Sequence, residues 1–256
     1  MIKTQTVLKV KNILLSQPVP AEIEKSPYGD IIKKYGVHIE FHKFFKIEGV
    51  TTREFRDERI YINEYTAVVF NSKHAVDHFF RLAKEVRVDV PETMKYFCMS
   101  ESIAFYLQKY VQYRKRKIFH APDLAQMLDT VKKHKTESFL IPCSDSHNKD
   151  LPNMFESIKV QYREAVMYRT LPAEMKDLFD INGFDMIVFF SPQGIRSLFY
   201  NWPEFKQEER LIGAFGATTA QAATDAGLIV NIPAPTAVAP SMAMAIEQFL
   251  AKSNKK

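Results

Sequence analysis

This chain has little of what usually announces a function. Only two cysteines occur in 256 residues, Cys98 and Cys143, too few for a disulfide framework or a cysteine-rich zinc module. A reducing compartment, the cytoplasm, is the reading that follows. Glycine is scarce at eight residues, and none falls in G-x-G-x-x-G or G-x-x-x-x-G-K-[ST]; H-E-x-x-H is missing too. These absences weigh against a nucleotide cofactor and against zinc proteolysis, so no metal and no cofactor is expected. The opening MIKTQTVLKVKN spreads lysines where a secretory leader needs an apolar run. The longest uncharged stretch, 226–246, could cross a bilayer by length alone. Pro233, Pro235, Pro240 and Asn231 break it into strand, loop and helix start, so no membrane partner is expected.

The formal net charge is +5. A basic surface raises the local concentration of anionic partners. The densest patch, Tyr113-Arg114-Lys115-Arg116-Lys117, reads as a solvated helix end. No nucleic-acid recognition module surrounds it, and no nucleic-acid partner is expected.

What the chain does have is a weak internal repeat. AVVFNSKHAVDHFF (67–80) is echoed by MIVFFSPQGIRSLF (186–199), each an apolar run, a serine-centred polar cluster and helical spacing. KYFCMSESIAFYL (95–107) is followed in the same order by GAFGATTAQAATDA (213–226). HAPDLAQMLDTVKK (120–133) and PAPTAVAPSMAMAIEQFL (233–250) share an Ala-Pro before a terminal helix, and NILLSQP (12–18) matches FLIPCSD (139–145). A spacing of about 115–125 residues is too long for a solenoid and fits two duplicated α/β units.

Apolar runs alternate with helical patterns throughout, which argues for βα units and mainly parallel sheets. Strands are expected at 10–16, 37–48, 66–71, 94–98, 137–142, 158–170, 185–190, 211–215 and 228–232. Helices fit 20–35, 52–63, 73–85, 100–113, 122–134, 147–157, 172–181, 192–200, 217–226 and 237–251. Ser191-Pro192 is a good helix start, and Gly36 and Gly227 sit where helices should stop. Strands 37–48 and 158–170 are unusually long against a mean near five or six residues. Both are expected to leave one domain and enter the other. In the second, Val160, Tyr162, Glu164, Val166 and Tyr168 alternate onto one face.

In open α/β sheets ligands bind beyond the carboxyl ends of strands, at helix N-termini whose free amides carry partial positive charge. Those positions are rich in small polar residues: Ser16-Gln17, Asn71-Ser72-Lys73, Ser100 and Ser102, Ser144-Asp145-Ser146, Ser191-Pro192-Gln193 and Gly216-Ala217-Thr218-Thr219. Any one of them is explained by helix capping alone. Several in both halves point to a large anionic ligand. His74 and His78, four apart on a helix, have no third metal ligand in sight and read as surface residues. Cys143 has no identifiable histidine partner for nucleophilic work.

The ordered set VVFNSKHAV, VMYRT, IVFFSPQGI, AFGATTAQAATDAGL and the final Pro-Ala-Pro-Thr helix resembles uroporphyrinogen-III synthases over essentially the whole chain. The resemblance implies two similar α/β domains joined by a two-stranded β-ladder, one of residues 46–169 inserted into another of 1–45 plus 170–256. It implies a cofactor-independent cyclising lyase that closes hydroxymethylbilane to uroporphyrinogen III with loss of water and inversion of ring D. Tyr168 is then the catalytic candidate. Ser72, Ser191, Thr218 and Thr219 match the family's ligand turns, and Ser102 falls where another turn usually has threonine. Met99 stands where glycine is normal, and Glu101 brings a negative charge to that turn. A non-catalytic tetrapyrrole- or anion-binding module on the same fold is the alternative, and an unrelated sugar-phosphate or nucleotide enzyme a third. The partners expected are the linear tetrapyrrole and the preceding enzyme of the pathway, with the protein a monomer.

Overall fold

The computed structural model describes residues 9–253; most of the lysine-bearing N-terminal segment, residues 1–8, lies outside them. The chain runs β1 (Asn12–Leu15), α1 (Pro27–Tyr35), β2 (His38–Phe41), β3 (Phe45–Gly49), α2 (Thr52–Asp57), β4 (Ala67–Phe70) and α3 (Lys73–Glu85). It continues through β5 (Lys95–Cys98), α4 (Glu101–Leu107), β6 (Ile118–His120), α5 (Leu124–Lys132), β7 (Phe139–Ser144), α6 (Asp150–Ser157) and β8 (Tyr162–Pro172). The last third holds β9 (Met186–Phe189), α7 (Pro192–Asn201), β10 (Leu211–Phe215), α8 (Ala217–Asp225), β11 (Val230–Ala234) and α9 (Met242–Ser253). No helix among the described residues is long and apolar enough to cross a membrane.

Two compact units result, one formed by the chain up to Lys46 together with Leu171 onward, the other by Ile47–Thr170. The first holds a five-stranded parallel sheet in the order β11-β10-β9-β1-β2. The second is built on the parallel order β8-β7-β4-β5-β6, with β3 added beyond β8. Val50 N–H donates to the Met167 carbonyl and Ala173 N–H to the Phe44 carbonyl, so β3 and β8 run antiparallel. The division between units falls within this two-stranded ladder. Matching β1 to β7, β9 to β4, β10 to β5 and β11 to β6, as the sequence repeat does, gives both sheets the same strand order. The fold is α/β with two similar sheets.

Burial explains the sequence pattern. Parallel strands covered on both faces need unbroken apolar runs, and β4 and β9 are buried at every residue. α3 buries Ala75, Val76, Phe79, Leu82 and Ala83 on one stripe and exposes Lys73, His74, Lys84 and Glu85. Polar signals set the ends. Thr51 opens α2 with a reciprocal capping box to Glu54, and Gly36 closes α1 in the left-handed region at φ 63°.

Four sequence expectations need correction. The single strand 37–48 is two strands, β2 and β3, parted at His42–Phe44 and belonging to different sheets. An apolar count cannot register a change of sheet. The segment 172–181 is no helix: Pro172 ends β8, and the buried Asn201 side chain accepts from the Met175 N–H and donates to the Ala173 carbonyl. These bonds satisfy backbone groups that a helix would otherwise pair. Helix 100–113 ends at Leu107, and β6 was not anticipated because its three residues are too few for a pattern.

Candidate functional site

In each unit the strand order reverses once, between β4 and β7 in the inserted unit and between β1 and β9 in the other. Helices leave such a point on opposite faces and open a crevice at the strand carboxyl ends.

In the inserted unit the crevice is a cavity of about 440 Å³ lined by Asn71, Ser72, Met99, Ser144, His147 and Tyr168, among others. Ser72 caps α3 by accepting the Ala75 N–H at 3.0 Å. Its Oγ also lies 3.0 Å from the Tyr168 hydroxyl. The phenol is 6 % exposed, and its ring stacks on His78 at 5.1 Å and 17°, with His74 tilted at 6.1 Å. Burial pushes the Tyr168 pKa up against the opposing hydrogen bond from Ser72, so the group stays a neutral phenol. Burial, then the neighbouring Arg81 and His74, pull the His78 pKa down. Arg81 fixes the local backbone, donating to the Val50 carbonyl at 2.8 Å and the Met167 carbonyl at 3.4 Å.

The position of Tyr168 departs from the alternation read in the sequence. Tyr162 packs with the cluster under α5 and α6, while Ala165, Met167 and Tyr168 join the one with α2, α3 and α4. The cause is a register shift: Cys143 pairs with Val166 but Ser144 with Tyr168, leaving Met167 as an extra residue on β8. A bulge of this kind re-aims a side chain. Here it turns the phenol toward Ser72. The Asp145 N–H closes the bulge on the Tyr168 carbonyl at 3.2 Å, and the Thr170 N–H returns to the Asp145 carboxylate at 3.2 Å.

Of the other predicted turns, Ser100 caps α4 through the Ile103 N–H at 3.3 Å. Ser102 lies inside the first turn of α4, exposed, and is not its cap. Glu101 is exposed in the same turn, where a carboxylate suits the helix dipole. Lys73 is exposed at the start of α3, its ammonium 5.5 Å from the Tyr106 ring centroid.

In the other unit Ser16 is buried, and its Oγ accepts the Phe190 N–H at 3.3 Å across the reversal point. Ser191 caps α7 with Pro192 at the first helical position. A Cβ on Gly194 would lie 3.2 Å from the Ser16 Oγ, so glycine lets the α7 start approach β1 closely. Gln17 and Gln193 are half-buried. Gly216 holds φ 88° at the start of α8, followed by exposed Thr218 and buried Thr219. Thus Ser16, Ser191 and their neighbours meet at one reversal point, and Asn71, Ser72, Ser144 and Tyr168 at the other.

Sequence reading missed the surroundings of Cys143. Cys143 Sγ, a His147 ring nitrogen and a Glu164 oxygen lie within 4.8 Å of one another. His147 Nε2 is 2.6 Å from Glu164, whose carboxylate also pairs with Lys149 at 2.7 Å. A divalent cation would have to displace that ammonium. Burial, with Glu164 adding to it, pushes the Cys143 thiol up to about 12, which suppresses its thiolate. His147 follows four residues after Cys143 in a loop, a spacing that carries no general signal.

Comparison with known proteins places these features in a family. A search of curated proteins by sequence finds no match. The structure is similar to the crystal structure of uroporphyrinogen-III synthetase from Helicobacter pylori, with TM-score 0.59 at 16 % identity, covering 94 % of this chain and 99 % of that one. It is also similar to a mutant uroporphyrinogen III synthase from Thermus thermophilus, with TM-score 0.56 at 14 % identity and the same coverages. These likenesses concern the fold. The family model described as uroporphyrinogen-III synthase HemD matches residues 26–243, most of the sequence, and the chain belongs to that family.

Proposed function

We propose that this protein closes hydroxymethylbilane to uroporphyrinogen III, acting as a cyclising hydro-lyase of tetrapyrrole and haem biosynthesis without metal or organic cofactor. The observation that carries the reading is the family match over residues 26–243. In the reaction the terminal C–O bond breaks with its electrons leaving on oxygen, which takes up a proton and departs as water. The methylene left behind is conjugated with its pyrrole as an electrophilic azafulvene. Ring D bonds to it through its substituted carbon, forming a spiro intermediate. Rearrangement and loss of one proton restore an aromatic, inverted ring. That proton balances the one taken by the leaving hydroxyl, and one water is lost overall.

Tyr168 is the residue we assign to the departing hydroxyl. In this reading Ser72, whose Oγ accepts the Ala75 N–H, turns its own proton to the Tyr168 oxygen 3.0 Å away, the one of the two directions open to this pair that frees the phenolic proton for the substrate. A neutral phenol is a weak acid, so its role is a positioned hydrogen bond. Groups of this kind contribute about 10²–10⁴-fold in rate. The helix starts at Asn71–Lys73, Ser100, Ser191–Gln193 and Gly216–Thr219 offer amides to anionic groups of the substrate, with Ser144 and Ser16-Gln17 at strand ends, where no helix starts, adding side-chain polar groups. We place the enzyme in the cytoplasm as a monomer that receives its reactive substrate from the preceding enzyme.

The test is an isomer assay. Purified protein given hydroxymethylbilane should yield the type III isomer, whereas spontaneous closure yields type I. Only type I, at the rate of the protein-free control, would overturn the proposal.

A further inference from the structure

The basic segment Tyr113–Lys117, which the reaction above does not use, borders a second cavity in the inserted unit. Its volume is about 530 Å³, and its walls include Phe80, Val88, Val90, Tyr96, Tyr110 and Ile118. Lys84, Arg114 and Lys117 also line it, against the carboxylates of Asp89 and Glu92. It lies at the far end of α3 from Ser72, since Lys84 is twelve residues along that helix, about 18 Å. The ligand-binding crevice is at the other end of the sheet.

Three observations make this cavity more than a surface fold. Phe80 and Tyr110 stack at 4.5 Å and 3°, giving it a firm aromatic wall. Tyr96 is 5 % exposed, and its hydroxyl forms no hydrogen bond among the described residues, its oxygen staying open to solvent at the cavity. Burial alone drives its pKa up to about 12, so at neutral pH it is a donor awaiting an acceptor. Third, Lys84 and Arg114, both at its lining, form no ion pair among the described residues. Apolar walls with a few convergent polar groups are the usual make-up of a small-molecule site.

We propose that this cavity is a second ligand site, taking a small aromatic anion. Its ring lies along the Phe80 and Tyr110 wall, and an acceptor atom takes the Tyr96 proton. Its negative group meets Arg114 and Lys84.

The probe for the test is 8-anilinonaphthalene-1-sulfonate, titrated by fluorescence into the full-length protein beside its uncharged analogue N-phenyl-1-naphthylamine. Saturable binding of one sulfonate per chain is expected, tighter than that of the neutral compound. The surface double variant Lys84→Ala, Arg114→Ala should raise the Kd for the sulfonate about tenfold and leave that of the neutral probe unchanged. Tyr96→Phe should weaken sulfonate binding several-fold. The double variant touches no core residue and should form the type III isomer at the parental rate, which verifies its fold. Equal affinity for both probes, or a sulfonate Kd indifferent to the double variant, would overturn the proposal.

Discussion

Replacing Tyr168 by phenylalanine separates its two roles by their magnitudes. As a structural group, the hydroxyl makes one hydrogen bond, to Ser72 Oγ at 3.0 Å. Its loss leaves Ser72 still paired with the Ala75 N–H and leaves the ring stacked on His78. No buried group is orphaned, so the stability cost is that of one ordinary hydrogen bond, about 0.5–1.5 kcal/mol. If the phenol assists departure of the leaving hydroxyl, the rate falls by about 10²–10⁴-fold, equivalent to about 2.7–5.5 kcal/mol of transition-state stabilisation. The two costs scarcely overlap. Because the assistance exists only in the transition state, kcat should fall with KM little changed. Ser72→Ala is the companion variant. It removes the α3 cap, worth about 0.5–2 kcal/mol, and the hydroxyl that orients the phenol, so it should slow the reaction less than Tyr168→Phe. The assay is initial-rate formation of the type III isomer, read beside urea unfolding of each protein. Parental turnover in a folded Tyr168→Phe protein would refute the catalytic assignment and leave Tyr168 a packing residue.

Three further outcomes follow from the geometry. Acid should destabilise the fold: the native state holds His78 and His134 below their usual pKa, burial being the first cause in both, so stability is complete above about pH 6.5 and declines below it. Glu54, drawn down to about 2 chiefly by Arg169, adds stability present above about pH 4.5 and lost as the pH falls toward 2. Urea midpoints flat from pH 7.5 to 4.5 would contradict the first, and midpoints flat from pH 4.5 to 2 the second. Gly216→Ala should cost about 1–2 kcal/mol although nothing lies within 4 Å of the new methyl, because φ is 88° there; Gly183→Ala, equally open and without a positive φ, should be neutral or slightly stabilising. Cys98 and Cys143, buried and both pushed up to about 12, should react with a thiol reagent only as fast as the chain unfolds.

The sequence displayed features that are local and repeated. The βα alternation, the Ser191-Pro192 helix start and the Gly36 stop each depend on a few adjacent residues, and each is present. The internal repeat was visible because parallel strands demand similar apolar runs wherever they occur. Features set by distant partners stayed hidden. The break at His42–Phe44 is fixed by which sheet each half joins, and the turn after Pro172 by Asn201, 26 residues away from Met175. The orientation of Tyr168 was misread for a similar reason. Strict alternation put it on the face of Tyr162, and only pairing with β7 reveals the extra residue that turns it over. The candidate residues were thus legible as a set, but their grouping around two reversal points required the strand order.

Duplication supplies the last step. The two reversal points are topologically equivalent, yet they differ in how far the strand beside them runs. On β7 the pairing with β8 extends to Ser144 and Tyr168; in the matching register Ser16 stands where β7 has Pro142, and β1 stops sooner, at Leu15 paired with Phe41. The residue that follows, His42, packs its ring against Phe179 at 4.4 Å and bonds Glu40 at 3.2 Å. It has no phenol and no bulge to re-aim one. Ser16 itself is engaged by the Phe190 N–H, so its hydroxyl serves the backbone across the crevice. One crevice therefore has the starts of α7 and α8 beside it, which suit anion binding. The other adds an oriented, neutral phenol. A reaction whose outcome depends on which carbon of one ring forms the bond needs many weak anchors and a single directed donor. On the reading proposed here, the asymmetry between the copies follows that division.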